Sequence, residues 1–73
     1  MNEEQEEAVR ELMRVPGLSR GTAELLVRSG YLSIEEVAYV PLAELLSESE
    51  LLASQVSAVR ASARSFLLGG SSR

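Results

Sequence analysis

Residues 30–46 read Gly30-Tyr31-Leu32-Ser33-Ile34-Glu35-Glu36-Val37-Ala38-Tyr39-Val40-Pro41-Leu42-Ala43-Glu44-Leu45-Leu46, and the fold is decided here. Gly30 suits the left-handed conformation that ends a preceding helix. Ser33 and Glu36 have the S-x-x-E spacing of a capping box, in which each side chain satisfies an orphan backbone donor of the next helix. Ile34, Val37 and Ala38 then recur at helical spacing and give that helix one apolar face. Pro41 cannot continue the helix, but it suits the first position of a further short one that ends at Leu45-Leu46. The stretch is therefore a short connector helix, a corner and a second short helix.

The flanks of this stretch repeat each other. Shifted by 33 residues, Leu12-Met13-Arg14-Val15-Pro16-Gly17-Leu18 falls on Leu45-Leu46-Ser47-Glu48-Ser49-Glu50-Leu51. The register carries on with Ala23 on Val56, Leu26 on Val59 and Gly30 on Ala63. Each flank reads as a helix end, a tight hairpin and a second helix. A single helix-hairpin-helix cannot bury both of its apolar faces, so two copies around a linking helix make one minimal core. The expected fold is all-α, a tandem helix-hairpin-helix of five short helices.

Composition narrows the function. The 73 residues make one small domain, able to bury about 60% of the surface its unfolded chain exposes. With no cysteine, histidine, aspartate or lysine, the chain lacks disulfides, thiolate metal sites and the commonest general base. No run approaches a membrane span and no apolar leader core follows Met1, so a cytoplasmic domain is expected. The net charge of −4 is unevenly spread. Residues 1–13 hold glutamates 3, 4, 6, 7 and 11 against Arg10, whereas the remainder is balanced. Acid in a first turn complements the helix dipole, and an acidic helix repels phosphate.

In chain order, helices are expected at about 3–13, 20–29, 34–39, 42–46 and 52–67. The first shows Val9, Leu12 and Met13 to the core. Val15-Pro16-Gly17-Leu18 is a hairpin in which proline fixes φ and glycine supplies positive φ. Ser19 caps the second helix, which turns Ala23, Leu26 and Val27 inward and leaves Leu25 outside, with Leu32 in the following loop. The second hairpin has two competing readings. Ser47-x-x-Glu50 is a capping box that would start a helix at 48; the 33-residue offset demands a turn through Ser47–Glu50. Burial of Leu46 and Leu51 outweighs a cap of about 1 kcal/mol, so the turn is preferred. The core is expected to contain Leu12, Val15, Leu18, Ala23, Leu26, Ile34, Val37, Leu45, Leu51, Val56 and Val59. The domain spans 1–68, and Gly69-Gly70-Ser71-Ser72-Arg73 reads as a disordered tail.

Residues with chemical potential are few. The first hairpin, with Arg14, Gly17, Leu18, Ser19 and Arg20, could offer backbone N–H groups and cations to a phosphate. Its usual second glycine is Ser19, however, and the partner hairpin carries Glu48 and Glu50, which would repel a duplex. Glutamates 35, 36, 44, 48 and 50 fall on capping or solvent positions, with no apolar pocket to shift their pKa, so neither catalytic residues nor metal ligands are expected. Arg60 and Arg64, one turn apart on the last helix, read as a solvated stripe or a contact for an acidic partner.

The connector and its flanks closely resemble the acidic-repeat domains at the C-terminus of the bacterial transcription factor NusA. In that family a glycine-aromatic pair precedes a capped short helix and a Pro-x-x-Glu-Leu-Leu turn, matched here by Gly30-Tyr31, Ser33–Ala38 and Pro41–Leu46. The similarity covers roughly residues 12–67. A related SAM-like fold forms the N-terminal domain of RadA-type recombinases, whose connector looks similar; the acidic first helix favours NusA. Glu50 departs from the family at the second hairpin, where glycine is usual. The resemblance implies a binding module without cofactor or small-molecule substrate. It would contact the C-terminal domain of the RNA polymerase α subunit or other elongation and antitermination proteins, with weak or no affinity for nucleic acid. As an isolated domain it is expected to be monomeric. Leu25 and Leu32, left outside the core, with Arg20 and Arg28 at their rim, are the expected partner-binding residues.

Overall fold

The structure, a computed structural model, describes residues 2–69. The chain is all-α. Five helices follow one another: α1 (Glu3–Leu12), α2 (Arg20–Arg28), α3 (Ile34–Tyr39), α4 (Leu42–Glu48) and α5 (Ala53–Leu67), with no strand among the described residues. α1 packs on α2, while α5 receives α3 and, less extensively, α4. All five elements contribute to one apolar cluster that runs from Ala8, Val9 and Leu12 through Leu26, Ile34, Val37 and Leu45 to Val56 and Ala63.

Local chemistry places the boundaries. Asn2 and Gln5 form a reciprocal capping box on α1, with Gln5 N–H donating to Asn2 Oδ1 at 2.8 Å and Asn2 N–H to Gln5 Oε1 at 3.1 Å. Leu18 N–H then donates to the Val15 carbonyl at 3.1 Å, and Gly17 has φ +85°. Proline second and positive-φ glycine third make this a type II turn. Ser19 caps α2 through its hydroxyl. α2 ends in a complete Schellman motif. Gly30, at φ +101°, donates to Val27 O, and Tyr31 N–H reaches back to Leu26 O. The motif swings the Tyr31 ring into the core beside the fully buried Leu26, a burial that the sequence reading missed. The Ser33–Glu36 capping box opens α3 as expected, and Glu36 Oε1 also accepts from Leu32 N–H at 2.7 Å.

The 33-residue register is visible in burial. Leu12 and Leu45 are fully buried, as are Ala23 and Val56, and Leu18 and Leu51 are buried too. Met13 and Leu46 also match, but both are exposed rather than inward as expected. Each stands one residue past a fully buried leucine, about 100° around the helix from it and so turned away from the core. Val59, expected in the core, is half-buried and packs against its edge. Leu25 is likewise half-buried against the core rather than outside it.

The second turn differs from the first. α4 runs on to Glu48, so the break lies at Ser49–Leu52 and not at Ser47–Glu50. Ser47 stays in the helix, its hydroxyl donating to Glu44 O, and starts no new helix. A turn at Ser47–Glu50 like the first would need a glycine at position 50. Glu50 stands at the equivalent of Gly17, and among the described residues no non-glycine takes positive φ, so the chain instead leaves α4 through an extended Ser49 (φ −88°, ψ 161°). Ser49 is buried, and its hydroxyl accepts from Leu51 N–H at 3.4 Å. Pro41 is the residue before α4 rather than its first residue, its carbonyl accepting from Glu44 and Leu45 N–H. At the far end Gly69, expected in the tail, closes α5 with φ +83° and an N–H bonded to Phe66 O. The rest of the expected tail, 70–73, lies outside the described residues.

Candidate functional site

The arginines are distributed before any partner arrives. Arg20 Nη2 contacts both carboxylate oxygens of Glu6 at 2.9 Å, and its Nε lies 2.8 Å from Glu24. The paired guanidinium holds the Glu6 carboxyl below the usual range, and the two carboxylates push Arg20 upward. Arg14 Nη1 sits 3.0 Å from Glu11 Oε2 and its guanidinium lies over the Phe66 ring, 5.5 Å from the centroid. Arg28 approaches Glu50 at 3.8 Å. These pairs are solvent-exposed and add little stability, yet they neutralise the cations around both turns.

The expected phosphate-binding set is therefore brought together only in part. Gly17 and Ser19 have the expected turn and cap geometry, and Leu18 is buried beneath them. Arg14 and Arg20, however, face carboxylates of the chain itself. Of the expected partner-binding set, Leu25 is half-buried against the core, and Arg20 is paired with Glu6 and Glu24. Leu32 is exposed and lines a hollow of about 310 Å³ with Glu4, Glu7, Ala8 and Glu11, so its rim is acidic rather than basic. Arg20 and Arg28 line neither that hollow nor the groove described below.

Arg60 and Arg64 are no solvated stripe. Arg64 Nε donates to Ala38 O at 2.7 Å, and Arg60 Nη2 donates to Val40 O at 3.0 Å. Carbonyls at the end of α3 lack intrahelical partners, and cations there also complement the helix dipole. The two arginines thus fasten the connector to α5, and Arg64 additionally lies 5.6 Å from the Tyr39 ring centroid. No local sequence pattern could have revealed contacts across 20 and 26 residues.

A concavity lies between α3 and α4. An open groove of about 700 Å³ is lined by Tyr31, Tyr39 and Val40 with Glu35 and Glu36 from α3 and Glu44 and Glu48 from α4. These glutamates, expected on separate solvent or capping positions, line one groove. The available signal was two acidic pairs flanking a helix break, which the bend turns toward one another. Comparison of the chain with protein-family models, curated proteins and solved structures finds no match. Tyr31 is buried at the groove wall, which pushes its phenol pKa up, and Glu44 reinforces that shift. Its hydroxyl reaches Glu44 Oε2 at 3.4 Å. Tyr39 stands 53% exposed at the rim, and Leu42 and Leu46 are exposed on α4. Among the described residues no cluster of ligating side chains could hold a metal, and no helix is long and apolar enough to cross a membrane.

Proposed function

We propose that this chain is a non-catalytic protein-interaction domain of a transcription elongation or antitermination factor. In this reading it is a tandem helix-hairpin-helix module of the NusA acidic-repeat kind, which docks on the C-terminal domain of the RNA polymerase α subunit or on another elongation protein. The observation that carries the protein-binding part is the charge pairing at the two turns. Arg14 and Arg20 are taken up by Glu11, Glu6 and Glu24, and the second turn offers Glu48 and Glu50. A phosphate backbone would have to displace those carboxylates, whereas a protein partner could use the groove and the exposed apolar side chains beside it. The connector supports the family reading through its local structure: a glycine-aromatic helix stop, a capping box and a proline corner.

Fluorescence anisotropy of the labelled domain tests the proposal. Saturable binding to the polymerase α C-terminal domain with no comparable response to duplex DNA supports it. Salt-sensitive DNA binding that disappears in an Arg14→Ala, Arg20→Ala double variant, with silence toward the polymerase domain, overturns it in favour of a repair- or recombination-type DNA module.

A further inference from the structure

Of the five helices, α4 is the least secured. The other four each begin with a side chain bonded to backbone N–H: Asn2 with Gln5 on α1, Ser19 on α2, Ser33 with Glu36 on α3, and Gln55 on α5. α4 follows Pro41 with no side-chain cap bond. It has seven residues, and a helix so short depends on packing for its stability. Leu45 is its one buried residue, whereas the six-residue α3 buries Ile34, Val37 and Ala38. α4 also packs on α5 less extensively than α3 does.

The composition of α4 works against it as well. Glu44 and Glu48 stand at i,i+4 spacing, where like charges repel. Glu48 is in the last turn, where the helix dipole favours a cation, and no basic residue occupies that turn. The Ser47 hydroxyl bonds back to Glu44 O, a contact that slightly weakens a helix. Among the described residues, one side-chain hydrogen bond links α4 to another element: Tyr31 O–H to Glu44 Oε2, long at 3.4 Å.

The chain on either side is held, by contrast. Arg64 bonds to Ala38 O and Arg60 to Val40 O just before the corner, and Ser49 and Leu51 are buried just after the helix. Both junctions are extended, with Pro41 at φ −55°, ψ 137° and Ser49 at φ −88°, ψ 161°. Among the described residues no backbone hydrogen bond joins α4 to α3 or α5.

We propose that α4 is a detachable strap, which opens as one unit between Val40 and Ser49 while α1, α2, α3 and α5 stay folded. Local openings are drawn from segments with few buried apolar contacts, and α4 is the segment of this fold that meets that description. The closed strap exposes Leu42 and Leu46 and hides Leu45. The open strap presents all three leucines and uncovers the part of α5 on which α4 packs. The device does not depend on which partner the domain takes.

Amide hydrogen exchange of the whole domain, read residue by residue by nitrogen–proton NMR in water and in low urea, tests the strap. Three amides mark the outcome: Leu45, bonded to Pro41 O; Ser49, bonded to Leu45 O; and Val40, the matching amide at the end of α3, bonded to Glu36 O. Leu45 and Ser49 are expected to share one protection factor, at least about tenfold below that of Val40, and to respond less to urea. Glu48→Lys turns the i,i+4 repulsion into attraction and suits the dipole. It is expected to raise protection at Leu45 and Ser49 about fivefold and to leave Val40 unchanged. Protection at Leu45 and Ser49 equal to that at Val40 means that α4 opens only with the whole domain, and overturns the strap. Low protection at Ser49 alone is fraying of one end and overturns it too. So does a Glu48→Lys response that is absent or is shared equally by Val40.

Discussion

Truncation of the connector at Val37 is the sharpest perturbation of the fold. Val37 is fully buried on α3, the element that packs most extensively on α5. Val37→Ala removes two methyl groups, worth about 1.6 kcal/mol of transfer free energy at about 0.8 kcal/mol per group. The vacated space, on the order of 40 Å³, adds about 1 kcal/mol at ~24 cal/mol per Å³ if the site does not collapse. The expected loss is therefore about 2–3 kcal/mol. A domain of this size has about 4–11 kcal/mol in all, so the loss is a large share. It corresponds to a fall in Tm of roughly 8–24 °C at 4–8 °C per kcal/mol. Urea and thermal unfolding followed by circular dichroism measure it, with the exposed Glu35→Gln on the same helix as the control. A loss below about 0.5 kcal/mol for Val37→Ala, or one no larger than that of Glu3→Gln on the acidic helix, would refute the connector's central place.

Gly30→Ala should cost about 1–2 kcal/mol in denaturant unfolding, because φ +101° disfavours a side chain although nothing lies within 4 Å of the added Cβ. Arg64→Ala should cost about 1 kcal/mol and speed amide exchange in α3, by removing the bond to Ala38 O; Arg64→Lys should recover only part of both effects. Because the Glu6 pKa is lowered in the fold, its pairing stabilises above the unfolded carboxylate value of about 4.3 and is lost as pH falls through the folded one; Glu6→Gln should flatten that acid limb in a pH series of unfolding curves. Tyr31 is shifted the opposite way: its contribution is present below the unfolded phenol value of about 10 and is lost as pH rises through the higher folded value, so Tyr31→Phe should remove part of the alkaline destabilisation.

The elements that could be read from sequence are those whose chemistry is local. The type II turn at Pro16-Gly17, the caps at Ser19 and Ser33 and the helix stop at Gly30 each depend on residues within a few positions, and each forms where expected. Met13 and Leu46, expected inward, share an exposed position. The second turn was harder. Its Ser47–Glu50 segment met one local signal, the capping box, and one long-range signal, the 33-residue offset, and neither decided the outcome: α4 simply continues to Glu48 and an extended Ser49 releases the chain. Contacts across the fold were invisible. The Arg60 and Arg64 bonds to the end of α3, the pairing of Arg20 with Glu6 and the convergence of Glu35, Glu36, Glu44 and Glu48 on one groove all require the helices to be packed first.

The interaction reading is tested most directly by nitrogen–proton NMR of the labelled domain, titrated in parallel with the polymerase α C-terminal domain and with duplex DNA at one salt concentration. The account predicts saturable shifts with the polymerase domain, grouped on one face that includes Tyr39 and its neighbours on α3 and α4, and an unchanged spectrum with DNA. Shifts induced by DNA at Arg14, Gly17 and Arg20, with no response to the polymerase domain, would contradict it.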